Sequence, residues 1–242
     1  MSSFQHPDAT SVRANTLALD HVSGEGYRVT THPLWRPFTQ NANSARQSQR
    51  IASRQTSPGA IRAHDPSWID DFGMVRTVIE DAMGDGVIAL HHVGSTAVAG
   101  LYAKPVIDID LTVEDVEDET RYIPGLENSG FLLIFRDDIA GDPHRHLTFA
   151  RPNANLHIWS PGAIEPQRHL LFSAWLRANP TDRDRYSAAK IAAAGPSDSG
   201  SYNDRKAATV YDIYERAFLA DPAHHHEPQP RSGSRRSAPQ QQ

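Results

Sequence analysis

Apolar residues recur at every second position in the middle of the chain and at helical spacing on either side of it. Ile107, Ile109 and Leu111 would share one side of a strand over residues 105–113, because successive strand side chains point to opposite faces. Similar short runs, separated by Gly, Pro and Asn, predict further strands and an antiparallel meander. The predicted strands cover residues 87–93, 105–113, 131–135, 146–150 and 156–159.

Helical spacing of apolar residues marks both flanks of this strand-rich region. Trp68, Val75 and Ile79 fall on one side of a helix that Gly84 would end. From about Glu165 onward, apolar spacing and the breaks at Pro180 and Gly195 predict three more helices. The predicted helices cover residues 68–83, 165–179, 182–194 and 201–220.

The two ends of the chain differ in composition from its centre. Residues 1–63 are rich in Ser, Thr, Asn, Gln, Arg and Ala and show no sustained period. Residues 222–242 contain three consecutive histidines followed by Pro, Gln, Ser and Arg. Such segments lack the apolar surface that a core requires. We therefore predict disordered tails over residues 1–63 and 222–242 and one folded domain over residues 64–221.

Two carboxylates lie one residue apart on the predicted strand at 105–113. Asp108 and Asp110 would share the face opposite the apolar one. Side by side they repel each other, and a divalent cation with a preference for oxygen ligands, such as Mg²⁺, removes that repulsion. The residues therefore suggest a metal site, with an exposed acidic pair as the alternative.

A Gly-Ser-Thr sequence follows the predicted strand at 87–93. Gly94 lets the backbone approach a ligand closely, and Ser95 and Thr96 are typical first residues of a helix. A helix start presents free N–H groups to a phosphate. The pattern predicts a phosphate cradle, and an ordinary turn with a helix cap is the alternative.

Composition narrows the classes of function. The chain has 242 residues, a formal net charge of −5 and no cysteine, which excludes a disulfide framework and a thiolate metal site. The acidic balance argues against a nucleic-acid partner. The sequence contains no apolar run of membrane-spanning length and no secretory pattern, so we expect no membrane partner and a cytoplasmic location.

Lysine is scarce. The 24 basic residues include three lysines, and the other 21 are arginines. Because a lysine ammonium is a compact charge that arginine does not simply replace at a phosphate, the three positions merit attention. They are Lys104, Lys190 and Lys206.

Two strings in the chain resemble a known family. Residues 92–109, HVGSTAVAGLYAKPVIDI, and residues 168–180, RHLLFSAWLRANP, resemble segments of the GrpB family. Gly94-Ser95 followed by Asp108-x-Asp110 resembles the signature of the nucleotidyltransferase superfamily, which has a DNA polymerase β-like fold. Ala99 departs from the family, which usually has proline there. The resemblance covers about residues 64–221 and implies an α/β (α+β) fold with a short mixed sheet, packed helices and a helical C-terminal part.

The resemblance also implies a Mg²⁺-dependent nucleotidyltransferase that uses ATP or another nucleoside triphosphate and one or two Mg²⁺ ions. AMP would pass to a small-molecule acceptor. His157 stands where the wider superfamily usually has a third carboxylate, and it would bind metal or take a proton. The implied catalytic and metal-binding residues are Asp108, Asp110 and His157. The implied nucleotide- and phosphate-binding residues are Gly94, Ser95, Thr96, Lys104, Lys190 and Lys206.

Other readings stay open at this point. Because GrpB-like domains also occur joined to dephospho-CoA kinase, the chain could be a catalytically silent nucleotide- or CoA-binding module. His157 could be a core or hydrogen-bonded histidine. The chain could also be a structural interaction domain with an exposed acidic pair.

Overall fold

The computed structural model describes residues 30–39, 46–195 and 201–231, which form one mixed β-sheet and five α-helices. The strands are β1 (Arg46–Arg50), β2 (Ala89–Val93), β3 (Ile107–Thr112), β4 (Leu132–Ile139), β5 (Asp142–Phe149) and β6 (Ala154–Trp159). The helices are α1 (Trp68–Met83), α2 (Ile123–Asn128), α3 (Ile164–Ala178), α4 (Pro180–Ala194) and α5 (Tyr202–Ala220). The mixed sheet and the helical C-terminal part confirm the predicted α+β class.

The strands lie in the order β1-β4-β5-β6-β3-β2. Neighbouring strands are antiparallel except β3 and β6, which pair in parallel. A parallel pair needs a long connection, and here that connection contains α2, β4 and β5. Strands β4, β5 and β6 form the predicted meander, and the crossover brings its last strand beside the strand that carries the two carboxylates.

The two faces of β3 differ in chemistry, as the alternation predicts. Ile107, Ile109 and Leu111 are each no more than 1% exposed. They pack with Leu156 and Ile158 of β6 in the main core. The polar residues of both strands therefore lie together on the opposite face.

Helix α1 has the predicted bounds and covers the apolar face of the sheet. Its buried residues Trp68, Val75 and Ile79 join the main core. Ser67, which precedes the helix, makes no side-chain capping hydrogen bond, and its hydroxyl donates to Asp65 Oδ1 at 2.8 Å. Burial of one face, rather than a capped end, anchors this helix.

The three C-terminal helices form a second apolar cluster with the loop that follows β2. Its buried residues are Val98, Leu101, Leu176, Tyr186 and Ile213. None of the helices in the described part of the chain is both long and apolar enough to cross a membrane. The second cluster packs the helices against the Gly-Ser loop, so it sets the distance between that loop and the helix surfaces.

Ordered structure extends beyond the predicted boundaries at residues 64 and 221. Strand β1 pairs with β4 and adds an edge to the sheet. Trp35 Nε1 donates to Glu215 Oε1 at 2.9 Å, and His226 is only 6% exposed. Composition did not reveal these contacts, because backbone pairing and single hydrogen bonds need no run of apolar residues. Residues 1–29, 40–45 and 232–242 of the predicted tails lie outside the described residues.

Truncating Ile109 should show how strongly the fold depends on the apolar face of β3. Ile109→Ala should lower the free energy of unfolding by about 2–5 kcal/mol, because it removes a fully buried side chain and leaves a cavity. The measurement is urea unfolding followed by circular dichroism. Ile69→Ala is the matched control: Ile69 is 63% exposed, so its effect should stay within about 0.5 kcal/mol. Equal effects of the two changes would contradict the packing described here.

Candidate functional site

Two adjoining cavities lie between the polar face of the sheet and the C-terminal helices. Their volumes are about 540 and 320 Å³. Gly94, Asp108, His169 and Lys206 line both. The larger cavity has an apolar and aromatic wall, formed in part by Phe38, Leu101, Phe172, Val210 and Tyr214. A mostly apolar cleft with a few polar groups at one end is typical of a small-ligand site.

Asp108 lies at the polar end of this cleft. Asn155 Nδ2 donates to its Oδ1 at 2.7 Å, and the pairing of β3 with β6 places these two residues side by side. Burial raises the pKa of Asp108, although the Asn155 hydrogen bond and the charges of Lys206, His169 and Lys190 act in the opposite direction. Burial thus destabilises the ionised form of Asp108, and a nearby cation would stabilise it.

Asp110 is buried and already has a partner at each oxygen. Trp159 Nε1 donates to Oδ1 at 3.0 Å, and His169 Nδ1 lies 2.8 Å from Oδ2. Burial lowers the pKa of His169, but the charge and hydrogen bond of Asp110 outweigh burial and leave that pKa raised. Asp110 and His169 therefore form a charge-compensated pair inside the protein.

His157 is directly opposite Asp110 in the parallel pairing. Its Nδ1 is 3.0 Å from His144 Nε2, and His144 Nδ1 is 3.2 Å from Asp137 Oδ2. An ionised Asp137 can only accept, so with neutral rings His144 Nδ1 donates to Asp137 and His144 Nε2 accepts from His157 Nδ1. This order leaves His157 Nε2 as the unprotonated ring atom.

The three proposed metal ligands lie on one face, but they do not form a preassembled cluster. In the part of the chain that the structure describes, the group that brings three metal-ligating atoms within 4.8 Å of one another is His32, Asp221 and His224. Asp108, Asp110 and His157 share neighbouring positions on β3 and β6 instead. All three are held by hydrogen bonds within the protein.

The loop after β2 differs from the predicted helix start. Residues Ser95–Ala97 form a single 3₁₀ turn without a side-chain cap, and no α-helix begins there. Thr96 is 3% exposed, and its hydroxyl donates to Val106 O at 3.2 Å and lies 3.0 Å from His92 Nε2. Thr96 therefore braces the loop, and it does not line either cavity. Ser95 lines the larger one.

The backbone conformation at position 94 and the nearby Asp108 side chain both require glycine there. Its φ is +68°, and a Cβ at this position would lie 2.5 Å from Asp108 Oδ2 and 3.0 Å from Asp108 Cβ. Both conditions favour glycine. The close approach of this loop fixes the position of the Asp108 carboxylate.

All three lysines of the chain gather around Tyr186 and Tyr202, and Lys206 also lines both cavities with Asp108. Lys104 Nζ lies 4.1 Å from the ring centroid of Tyr202, and Lys206 Nζ lies 5.1 Å from the same centroid. Lys206 Nζ also donates to Tyr186 Oη at 3.3 Å, and Lys190 Nζ lies 5.2 Å from the Tyr186 ring. The two tyrosines hold the three ammonium groups close together by cation–π contacts.

This lysine group is electrostatically strained. Burial, followed by the charges of Lys206 and Lys104, lowers the pKa of Lys190 to about 7, while Asp108 acts in the opposite direction. Burial and the charges of Lys206 and Arg205 also lower the pKa of Lys104. Such a group is stabilised by an anion.

Several residues of the site escaped the sequence reasoning. His169 lies in a helix, and no local sequence pattern indicates its contact with Asp110, which is 59 residues away in sequence. Asn155 lies one residue before the predicted strand 156–159, and it shares the face of His157 because the observed strand begins at Ala154. Arg54, which donates to both Asn155 and Asn153, lies in a segment predicted to be a tail.

Known proteins resemble this chain at several levels. UPF0157 protein BH1888 of Halalkalibacterium halodurans is 40% identical over 194 residues, which cover 75% of this chain and 97% of that protein. The dephospho-CoA kinase of Mycobacterium tuberculosis is 31% identical over 214 residues, and the match spans 73% of this chain and about half, 51%, of that enzyme.

Solved structures were also compared with this chain. The conserved protein GrpB from Enterococcus faecalis superposes with a TM-score of 0.56 and 26% identity, covering 66% of this chain and 98% of that one. The Cid1 poly(U) polymerase superposes with a TM-score of 0.38 and 14% identity, covering 54% of this chain and 41% of that one. A family model described as "GrpB protein" matches residues 58–216. The predicted resemblance is confirmed, and the chain belongs to the GrpB protein family.

Proposed function

We propose that this protein is a Mg²⁺-dependent nucleotidyltransferase that moves AMP from ATP to a small-molecule acceptor. The observation that carries the proposal is the grouping of Lys104, Lys190 and Lys206 around Tyr186 and Tyr202. Of the three, Lys206 lines the cleft together with Asp108. A triphosphate matches three cations, and the carboxylates match the metal ion that accompanies a triphosphate.

The lysines account for binding of the phosphate chain. The three ammonium groups are held by Tyr186 and Tyr202. Burial, followed by repulsion from Lys206 and Lys104, lowers the pKa of Lys190. A triphosphate would relieve this repulsion and restore the proton on Lys190. Gly94 and Ser95, which line the cleft, lie where they could approach the same phosphates.

The carboxylates fit a hard divalent cation. Asp108 and Asp110 present oxygen atoms on one face of β3, and each carboxylate oxygen has two lone pairs. Asp110 can therefore keep its bonds to Trp159 and His169 while it offers a lone pair to Mg²⁺. When bound, Mg²⁺ would neutralise charge on the phosphates and on the leaving pyrophosphate.

His157 suits the role of general base better than that of a Mg²⁺ ligand. Mg²⁺ prefers oxygen to imidazole nitrogen. The hydrogen bonds from His157 through His144 to Asp137 leave Nε2 unprotonated and orient the ring. This arrangement supports proton removal from an acceptor hydroxyl.

In the proposed reaction, the acceptor oxygen forms a bond to the α-phosphorus as the bond between that phosphorus and the bridging oxygen breaks. Pyrophosphate leaves with the electron pair, and its charge is compensated by Lys190 and Lys206. The acceptor proton passes to His157 Nε2. The apolar and aromatic wall that contains Phe172 and Tyr214 would exclude water from the acceptor.

A second candidate function is a catalytically silent nucleotide- or CoA-binding module. The charge-compensated pair of Asp110 and His169 favours it, because this carboxylate is stabilised without a metal ion. The match to about half of a dephospho-CoA kinase is consistent with such an auxiliary role. The two candidates differ in whether binding depends on Mg²⁺ and on Asp108.

Calorimetric titration with ATP tests the proposal. The wild-type chain should bind ATP more tightly with Mg²⁺ than without it, because the metal joins the carboxylates to the phosphates. Asp108→Asn should weaken Mg²⁺-dependent binding by at least about tenfold, since a ligand is lost. Asp81→Asn is the matched control: Asp81 is an exposed acid on α1, and its replacement should have no effect.

The outcomes of this titration separate the candidates. Absence of any ATP binding by the wild-type chain would refute the proposed function. Equal binding by all three proteins, with or without Mg²⁺, would favour the silent module. Loss of binding in both aspartate variants would indicate a nonspecific charge effect and would also contradict the proposal.

The pH dependence of ATP binding tests the role of Lys190. In the free protein the pKa of Lys190 is about 7, so its positive charge is lost as pH rises above that value. ATP affinity should therefore fall between about pH 7.5 and about pH 9, by at most about tenfold per unit. Lys190→Met should bind more weakly and show a flatter profile. An unchanged slope in this variant would contradict the assignment.

Replacing Gly94 tests its role in placing Asp108. Gly94→Ala should lower the free energy of unfolding by about 1–3 kcal/mol, because the new methyl group meets the Asp108 carboxylate at a positive φ. Gly73→Ala is the control, since Gly73 lies in α1 with no atom within 4 Å of an added Cβ. That change should stabilise the helix by about 0.5–1 kcal/mol. Urea unfolding measures both, and an unaffected Gly94→Ala protein would contradict the prediction.

A further inference from the structure

Two segments outside the matched family range meet at the end of α5. The first comprises residues 30–39 and the second residues 221–231. The N–H of Glu227 donates to Thr30 O at 3.0 Å. Glu215 of α5 accepts from Trp35 Nε1 and from the N–H of Gln229, each at 2.9 Å. These contacts hold both segments against one helix.

A histidine and carboxylate cluster lies at this junction. His32 Nε2 is 3.0 Å from Asp221 Oδ2, and His224 Nδ1 is 2.9 Å from the same oxygen. The three ligand atoms all lie within 4.8 Å of one another. His32 is 4% exposed and stacks on Phe218 with centroids 4.5 Å apart, so one side of the cluster is buried. His224 faces the solvent, with 45% of its side chain exposed.

We propose that His32, Asp221 and His224 bind a divalent transition-metal ion of the Zn²⁺, Co²⁺ or Ni²⁺ class. Two imidazoles and one carboxylate are a ligand set that such ions prefer, whereas Mg²⁺ prefers oxygen. Three protein ligands leave a further coordination position for water. This site is separate from the carboxylates of β3 and does not depend on the function proposed for them.

The hydrogen bonds of His32 determine what metal binding must change. The N–H of Leu34 donates to His32 Nδ1 at 3.0 Å, so the neutral metal-free ring carries its proton on Nε2 and donates to Asp221. A metal at Nε2 moves that proton to Nδ1, which can then no longer accept from Leu34. Binding should therefore alter the environment of the Leu34 amide.

A metal at this position would join the two ends of the described chain. Residues 30–39 include Arg36 and Phe38, which line the larger cavity of the candidate site. The other contacts of this segment with the fold are hydrogen bonds, the ion pairs of Arg36 and aromatic contacts. A metal bond to His32 would hold the segment in place and rigidify that wall of the cleft.

Calorimetric titration of the untagged, full chain with Zn²⁺ tests the proposal, with excess Mg²⁺ present to occupy the carboxylates of β3. The wild-type chain should bind one Zn²⁺. His224→Ala should weaken binding by at least about tenfold because a ligand is lost. Because the His224 side chain is exposed, its removal should leave the fold intact, and circular dichroism checks this. Co²⁺ should give a visible absorption band only where the site is intact.

Two control variants make the outcome decisive. His225→Ala changes the adjacent histidine, whose side chain is 72% exposed, and it should alter affinity by less than about twofold. Asp108→Asn should leave Zn²⁺ binding unchanged. The Leu34 amide resonance should shift with Zn²⁺ in the wild-type chain and not in His224→Ala.

Three results would overturn the proposal. The first is no binding of Zn²⁺ by the wild-type chain. The second is an equal loss in His225→Ala and His224→Ala, which would mean that the run of histidines binds metal as a flexible tail. The third is a loss confined to Asp108→Asn, which would place the metal at β3. ATP binding is measured separately, so failure here leaves the proposed function to its own test.

Discussion

The parallel pairing of β3 with β6 positions the polar groups of the candidate site. Because paired residues of neighbouring strands face the same side, Asp108 lies beside Asn155 and Asp110 beside His157. The same pairing places Ile107, Ile109 and Leu111 in the core with their neighbours from β6. A register shift of one residue would bury the carboxylates among apolar side chains, and the cost of that burial enforces the observed register.

The negative and positive groups at the cleft are compensated to different degrees. Asp110 is compensated by His169 within the protein, whereas the lysines are held mainly by the rings of Tyr186 and Tyr202. The protein thus has a surplus of positive charge beside Asp108. Holding like charges together in a partly buried site is costly, and an anionic ligand provides the compensation that the fold does not.

The segments outside the matched family range contribute to the same cleft. Arg36 bridges Glu165 and Asp142, and Arg168 donates to Leu34 O, so residues 30–39 are tied to α3 and β5. At the other end, His226 is hydrogen-bonded to Glu215 and to the N–H of His32. Residues 30–39 therefore form part of the cavity wall, and residues 221–231 pack against them. Composition alone had assigned both segments to tails.

The sequence by itself determined the local features of this protein. Period-two alternation predicted the strand of Asp108 and Asp110 and their shared face, and helical spacing predicted α1 with the observed bounds. Two strings of residues also identified the family, because a string can be compared with family members without knowledge of the fold. These features depend on neighbours in sequence, which a single chain displays directly.

Only the tertiary structure decided the partners of each group. It brought Lys104, Lys190 and Lys206 together from a loop and two helices, and it joined His169 to Asp110 across 59 residues. It also replaced the expected helix start at Ser95 with one 3₁₀ turn. Contacts between distant segments depend on how whole elements pack, and no local periodicity encodes that packing.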